Sequence, residues 1–487
     1  MHFQFLFNHD DSVCYAVLQH LSRSATATVT KTAIADEFGL TGYQLNKTFD
    51  AINADLATLK ATPPAYLDET TKGVWAGHGI TSYQLQRIGL VYLQRSALYI
   101  AFEYRFLYSE QYTRREYVAA NYLSNAGFYR AVNELDQLLS AHGFFSPVGT
   151  TNDEEAIIRL RLFQLYYAMY SGVSAPFPEL DELAGALTQA LAPLLAGPLP
   201  PTQATKLTIF FKVWLLRWQN GGRITAPARQ VPLVPAAQAT AVETAIQAAV
   251  NLDVPLTAAE FDYLYSFLIG QGFYTPSAAS LQANFPLAAK LTQDFTQQLL
   301  AHPAVSATSD QDQQAVTQAL QQLHLQFTTF FVPPTTFIDA DQVSFFRDLY
   351  PSFDVLILEF IHGLPESAGI PVDAALQVNL YFSYMFALIT ALPPAVMADR
   401  VYVCVDFSQG TLYTDYVIRS LGAFTQANLI VTRAVDAQTD IYISDFHATQ
   451  VAAPQVIWQD PPTPTDWSML ADMILTCKRA KLAALPD

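Results

Sequence analysis

Cysteine is nearly missing from this chain of 487 residues: only Cys14, Cys404 and Cys477 occur. They stand too far apart to form a disulfide framework or a metal-ligand pattern, which fits a reducing cytoplasm. Cations are scarce as well, with 26 Lys and Arg against 43 Asp and Glu for a net charge of −17. Spread evenly, that balance would argue against nucleic acid, because phosphate neutralisation supplies most non-specific affinity. It is not spread evenly. Residues 1–145 hold 11 cations against 13 carboxylates, whereas residues 146–487 hold 15 against 30. Long apolar runs are also lacking. The longest, Leu380 to Leu392, is too short for a membrane span and contains Ser383 and Thr390. The opening segment lacks the basic region of a signal peptide, so a soluble protein with no membrane partner is expected. Enzyme signatures are absent too: there is no Walker motif, no dinucleotide glycine fingerprint, no paired metal histidines and no nucleophile elbow. Gly270-Gln271-Gly272 follows a helical pattern and reads as a helix stop. The expectation is a protein that is not an enzyme and that needs no cofactor and no metal.

What is present is apolar and periodic. Half of the residues are hydrophobic and 14% are charged, so the chain is globular, and its length calls for several domains of roughly 100 residues each. Two stretches 83 residues apart repeat one pattern without a gap. Thr30-Lys31, Leu40-Thr41, Leu45, Lys47, Phe49, Ile52 and Leu56 recur as Thr113-Arg114, Leu123-Ser124, Phe128, Arg130, Val132, Leu135 and Leu139. Thr41 and Ser124 stand where a helix N-cap belongs, and the anchors after them fall at i, i+4, i+7 and i+11. Thr113-x-x-Glu116 is a capping box. Each copy therefore reads as a helix-turn-helix, the unit that lays a recognition helix in the DNA major groove.

Around these copies the chain divides into five parts. Residues 1–78 add a helix before the first copy and, between Leu67 and Val74-Trp75, a short hairpin that reads as a wing. Residues 79–150 hold an aromatic-rich helical stretch and the second copy. A bridging helix from Asp153 to Tyr170 opens a helical bundle over 151–278, and a second bundle follows over 279–396, with helices broken at prolines such as Pro303, Pro351 and Pro365. Residues 397–487 change period. Strands are expected at Val401–Val405, Leu429–Thr432, Ile441–Ser444 and Val456–Trp458, and helices at Leu412–Leu421 and Trp467–Leu482, as in a small α/β domain. The fold class is mainly α and multidomain.

This order, with the run Leu123-Ser124-Asn125-Ala126-Gly127-Phe128-Tyr129-Arg130 in the second copy and Glu155 to Arg159 in the bridging helix, resembles the Mga and AtxA family of virulence regulators of Gram-positive bacteria. The resemblance implies a transcription regulator with two DNA-binding modules. It also implies two phosphotransferase-system regulation domains (PRDs) controlled by histidine phosphorylation and a dimerising C-terminal domain similar to enzyme IIB. Promoter DNA, a second copy of the chain and the system's phosphocarrier protein are the implied partners. A signalling adaptor whose front modules bind protein instead of DNA is the alternative.

The side chains off the apolar faces are Tyr43, Gln44, Lys47 and Thr48 in the first copy and Asn125, Tyr129, Arg130 and Asn133 in the second. Lys and Arg suit guanine edges or phosphates, and Gln and Asn suit adenine edges. Lys31, Arg114 and Arg115 at helix starts and Lys72 on the wing suit phosphates. Asp50 and Asp55 further along the first recognition helix would repel the backbone and confine contact to its N-terminal turns. No histidine lies between His142 and His302, so the first bundle has no phosphoacceptor; in the second the candidates are His302, His324 and His362. In enzyme IIB a cysteine in the loop after the first strand carries the phosphoryl group. The loop Asp406 to Gly410 has none, and Cys404 falls two residues early, inside the strand. This domain is expected to be an interaction module.

Overall fold

The computed structural model describes the chain except residues 1–2, 24–27, 147–152, 196, 226–228, 230, 252–253, 304, 306–307, 333–339, 369, 371, 394–395, 398, 423–427 and 485–487. The expected boundary at 150/151 lies outside the described residues. The described residues are mainly helical, with two small sheets. They divide into two units, Met1–Leu268 and Ile269–Asp487.

The first unit opens with α1 (His9–Arg23), β1 (Thr28–Thr30), α2 (Lys31–Phe38), α3 (Gly42–Thr58), β2 (Tyr66–Thr71) and β3 (Val74–His78). The strands form an antiparallel sheet in the order β1-β3-β2. Leu45, Phe49, Ile52 and Leu56 of α3 are all buried, and Phe49 stacks on Trp75 of β3 at 4.0 Å between centroids. Asn53 fixes the hairpin to α3: its side chain accepts from the Leu67 N–H at 2.7 Å and donates to the Leu67 carbonyl at 2.8 Å.

Then come α4 (Ser82–Gln94), α5 (Ala97–Glu103), α6 (Arg114–Ala120) and α7 (Asn125–Ala141). The pair α6–α7 repeats α2–α3 down to its hydrogen bonds. Thr30 accepts from the Ala33 N–H and Thr113 from the Glu116 N–H. At the turn, the Leu40 N–H donates to Ala35 at 2.9 Å and the Leu123 N–H to Val118 at 3.1 Å, the closing bond of a Schellman-type helix end. Thr41 then accepts from the Gln44 N–H, and Ser124 from the Gly127 N–H. One expected anchor shifts. In α7 the buried set is Phe128, Ala131, Leu135 and Leu139, while Val132 is only half-buried. Spacings of i+3 and i+4 both stay on one face of a 3.6-residue helix, so sequence period alone does not choose between neighbours.

The unit closes with α8 (Glu154–Tyr170), α9 (Asp181–Ala190), α10 (Pro201–Gln219), α11 (Ala236–Val250) and α12 (Ala258–Gly270). Asp153 caps α8, where the bridging helix was expected. Charge is buried here. Arg159 donates to both oxygens of Glu260, at 2.5 and 3.0 Å, and to Glu155 at 2.8 Å, while Arg217 also bonds Glu155. Each carboxylate is thus shared between helices, the condition under which buried ions are tolerated.

The second unit contains α13 (Ala278–Asn284), α14 (Pro286–Ala301), α15 (Asp310–Thr329), α16 (Ala340–Leu349), α17 (Pro351–Ala368) and α18 (Ala374–Ala391). α14, α15, α17 and α18 share a core that includes Phe295, Leu320, Ile357, Ile361, Tyr384 and Leu388. Contrary to the expected break, α17 continues through Pro365 to Ala368. Pro365 stands within the last turn, so only the closing turn of the helix has to absorb the missing N–H bond and the clash of its ring.

The chain ends in β4 (Val401–Val405), α19 (Thr411–Leu421), β5 (Leu429–Thr432), β6 (Ile441–Ser444), β7 (Gln455–Ile457) and α20 (Pro464–Ala483). The strands are parallel, in the order β5-β4-β6-β7. Val401, Val403 and Val405 cluster with Val417 and Leu421 of α19 and with Leu470 and Ile474 of α20. The last strand begins one residue earlier than expected, and Trp458 falls past its end, buried in that cluster. Among the described residues no helix is long and apolar enough to cross a membrane.

Candidate nucleic-acid interface

The start of α2, the tip of the β2–β3 hairpin and the exposed side of α3 lie together. The Lys31 backbone N–H donates to the carbonyl of Gly73 at 2.7 Å, which sets the hairpin tip carrying Lys72 against the first turn of α2. The Lys31 ammonium donates to the side chain of Asn46 on α3 at 2.6 Å. Lys47, next in sequence, is exposed, as are Lys72 and Tyr43, whose ring is 81% accessible. Two cations at the hairpin and helix start therefore flank an α3 face that adds a third.

Gln44 is engaged at the start of α3. Its Oε1 accepts from the Thr41 N–H at 2.9 Å and from the Thr41 hydroxyl at 2.8 Å, completing a capping box. A two-pronged adenine contact needs that oxygen free, so reading a base with Gln44 would give up this cap of α3. Thr48 is half-buried and donates to the Gln44 carbonyl at 3.0 Å. Asp55 also differs from expectation. It is turned inward to Arg95 and is not among the exposed carboxylates of α3, whereas Asp50, one turn beyond Lys47, is exposed.

In the second copy Asn125, Arg130 and Asn133 are exposed along α7. The Arg114 guanidinium lies 4.9 Å over the ring of Tyr129, which joins the first residue of α6 to the head of α7. Arg115 is exposed beside it, and Glu134 is exposed one turn beyond Arg130. Two residues join these groups that periodicity does not single out: Asn46, through Lys31, and Tyr122, whose ring projects from the α6–α7 turn at 97% exposure. For Tyr122 the signal is in the repeat, since it stands 83 residues after Gly39.

The histidine candidates fall in separate surroundings. His324 is wholly buried, with Nδ1 2.9 Å from the Thr292 hydroxyl and Nε2 2.9 Å from the Tyr384 hydroxyl. Burial lowers its pKa to about 3. Thr292 also lines a groove of about 430 Å³ bordered by Gln282, Gln293 and Gln321. His362 is exposed on α17, with Nε2 3.4 Å from the Gln377 amide. His302 is half-buried at the end of α14.

Cys404 is buried in β4, packed with Tyr442 and Ala448 on the sheet face opposite α19 and α20. Burial raises its pKa, the reverse of what a thiolate nucleophile needs. In the loop after β4, the Ser408 N–H donates to Asp445 at 2.9 Å and its hydroxyl donates to the same carboxylate, which these bonds hold below the usual carboxylate range. The sequence matches no protein-family model, and no curated protein is detectably similar to it.

Proposed function

We propose that this chain is a DNA-binding transcription regulator of the Mga and AtxA type, acting as a homodimer on promoter DNA. The observation that carries the reading is the recurrence, 83 residues apart, of one helix pair with the same caps and the same closing turn bond. The order helix, strand, helix, helix, strand, strand at the front supports a winged helix-turn-helix, with Lys72 on the wing. Helices α8–α12 and α13–α18 suit two PRD-like bundles, and the four-stranded parallel sheet suits an enzyme IIB-like module without phosphoryl chemistry. Of the three candidate histidines, His362 on α17 is the most exposed and so the most open to a phosphocarrier protein. Each front module is close to neutral, so a strong grip needs both modules of two chains.

One observation favours the adaptor alternative: Asp50 and Glu134 stand exposed one turn beyond Lys47 and Arg130. Fluorescence anisotropy with labelled promoter fragments, titrated at several salt concentrations, separates the readings. Lys47→Ala and Arg130→Ala are each expected to weaken binding by roughly 5- to 100-fold and to reduce the salt slope by about one. Binding unaffected by both changes refutes the assignment of α3 and α7 as recognition helices.

A further inference from the structure

We propose that Tyr122 is itself a DNA contact, set against the sugar–phosphate backbone by the α6–α7 turn. The inference rests on the DNA-binding reading above and extends it to a residue outside the two recognition helices. In the first copy the helix–helix turn passes through Gly39 at φ 63°, the left-handed conformation that ends helices and that glycine adopts most readily. In the second copy the equivalent position is Tyr122 at φ 54°. A large aromatic residue there is uncommon, and the closing bond from the Leu123 N–H to Val118 holds its backbone but not its side chain. Within the free chain no packing explains the side chain, since the residue is 97% exposed.

The location says what the ring meets. Tyr122 is two residues before Ser124, the N-cap of α7, so it stands beside the first turn of the helix assigned to the groove. Exposed Asn125 at the head of α7 follows the turn directly. A tyrosine in such a place has two means of holding a nucleotide: its hydroxyl donates to a phosphate oxygen while its ring packs on the deoxyribose. The contact is sequence-independent, and it fixes how α7 enters the groove.

The test uses the full chain and a promoter fragment that the wild type binds, with Tyr122→Gly and Tyr122→Phe measured by anisotropy across a salt series. Tyr122→Gly is expected to weaken binding roughly tenfold, a loss typical of one well-packed aromatic contact. It should leave the salt slope unchanged, because a neutral side chain releases no counterion. Its thermal midpoint should equal or exceed that of the wild type, since glycine suits this conformation. Tyr122→Phe should lose part of the affinity through the missing hydroxyl. Tyr122→Gly binding within a factor of two of the wild type overturns the proposal, and Tyr122→Phe matching the wild type refutes the phosphate bond. Loss of self-association by Tyr122→Gly in sedimentation assigns the ring to a protein interface instead. Failure of the wild type to bind any promoter fragment sinks the DNA reading as a whole, an outcome distinct from a wild type that binds and a Tyr122→Gly that binds equally.

Discussion

Arg95 grips Asp55 with two nitrogens, at 2.9 and 2.8 Å, while the same guanidinium bonds Asp11. One side chain at the end of α4 thus ties α1 to α3 and turns a carboxylate of the candidate recognition helix inward. Stacking over Tyr92, at 4.7 Å, holds the fork in place. Arg95→Ala leaves two largely shielded carboxylates unpaired and should lower the stability of the first unit by about 1–3 kcal/mol. Arg95→Lys should recover only part of this, because an ammonium cannot fork between two carboxylates. Urea titration followed by tryptophan fluorescence reads both variants, and an unchanged midpoint for Arg95→Ala would refute the clamp.

Glu103 gives the first unit a pH response. Tyr99 and Tyr166 donate to its Oε1 at 2.6 and 2.9 Å, yet burial outweighs these bonds and raises its pKa from an ordinary 4.5 to about 7. The folded chain therefore holds a proton here that the unfolded chain has released. The stabilisation is complete below about pH 4.5, is lost as pH rises through about 7 and is flat beyond. The size is on the order of 1–3 kcal/mol. Glu103→Gln, neutral at every pH, should flatten that part of the stability profile between pH 5 and 8. An unaltered profile in this variant would remove Glu103 as the source.

The elements were legible where chemistry is local. Thr41, Ser124 and the Thr113–Glu116 box announced their helices, and the alternation around Val401 to Val405 announced a strand, because caps and side-chain period act over a few residues. The tertiary roles were not legible. That the Gln44 oxygen is taken up by Thr41 does not show in the spacing, and Asp55 looks like a repelling surface charge until Arg95, 40 residues on, is seen to hold it. His324 reads in the sequence as a candidate phosphoacceptor that could as well be a core or helix-end histidine. Only packing across α14, α15 and α18 decides that both of its nitrogens are occupied.

The Arg159–Glu260 pair carries the core of α8–α12. Glu260 also accepts from the Trp214 indole at 2.6 Å and from the half-buried Ile224 N–H at 3.1 Å, so its removal strands three donors, two of them on buried side chains. Glu260→Ala should cost about 3–5 kcal/mol, chiefly by leaving the Arg159 charge unpaired. Replacing both partners with apolar residues, Arg159→Met together with Glu260→Leu, should regain part of that loss, since no buried charge is then stranded. Calorimetry of the single and double variants tests this, and a double variant less stable than Glu260→Ala alone would contradict it.

His324 lies in a core and His362 on a surface, and the two call for different tests. His324 is neutral in the fold because burial depresses its pKa from 6.5 to about 3, so the unfolded chain binds the extra proton. The stabilisation from this histidine is present above about pH 6.5 and is lost as pH falls toward 3, which opposes the trend set by Glu103. His324→Gln should lessen the acid sensitivity of the second unit in denaturant titrations between pH 7 and 4. Phosphorylation follows access: with the general phosphocarrier protein and its phosphoryl donor, label should enter the wild type and His324→Gln alike and vanish from His362→Ala. Label lost from a folded His324→Gln, or retained in His362→Ala, would move the acceptor away from the exposed face of α17.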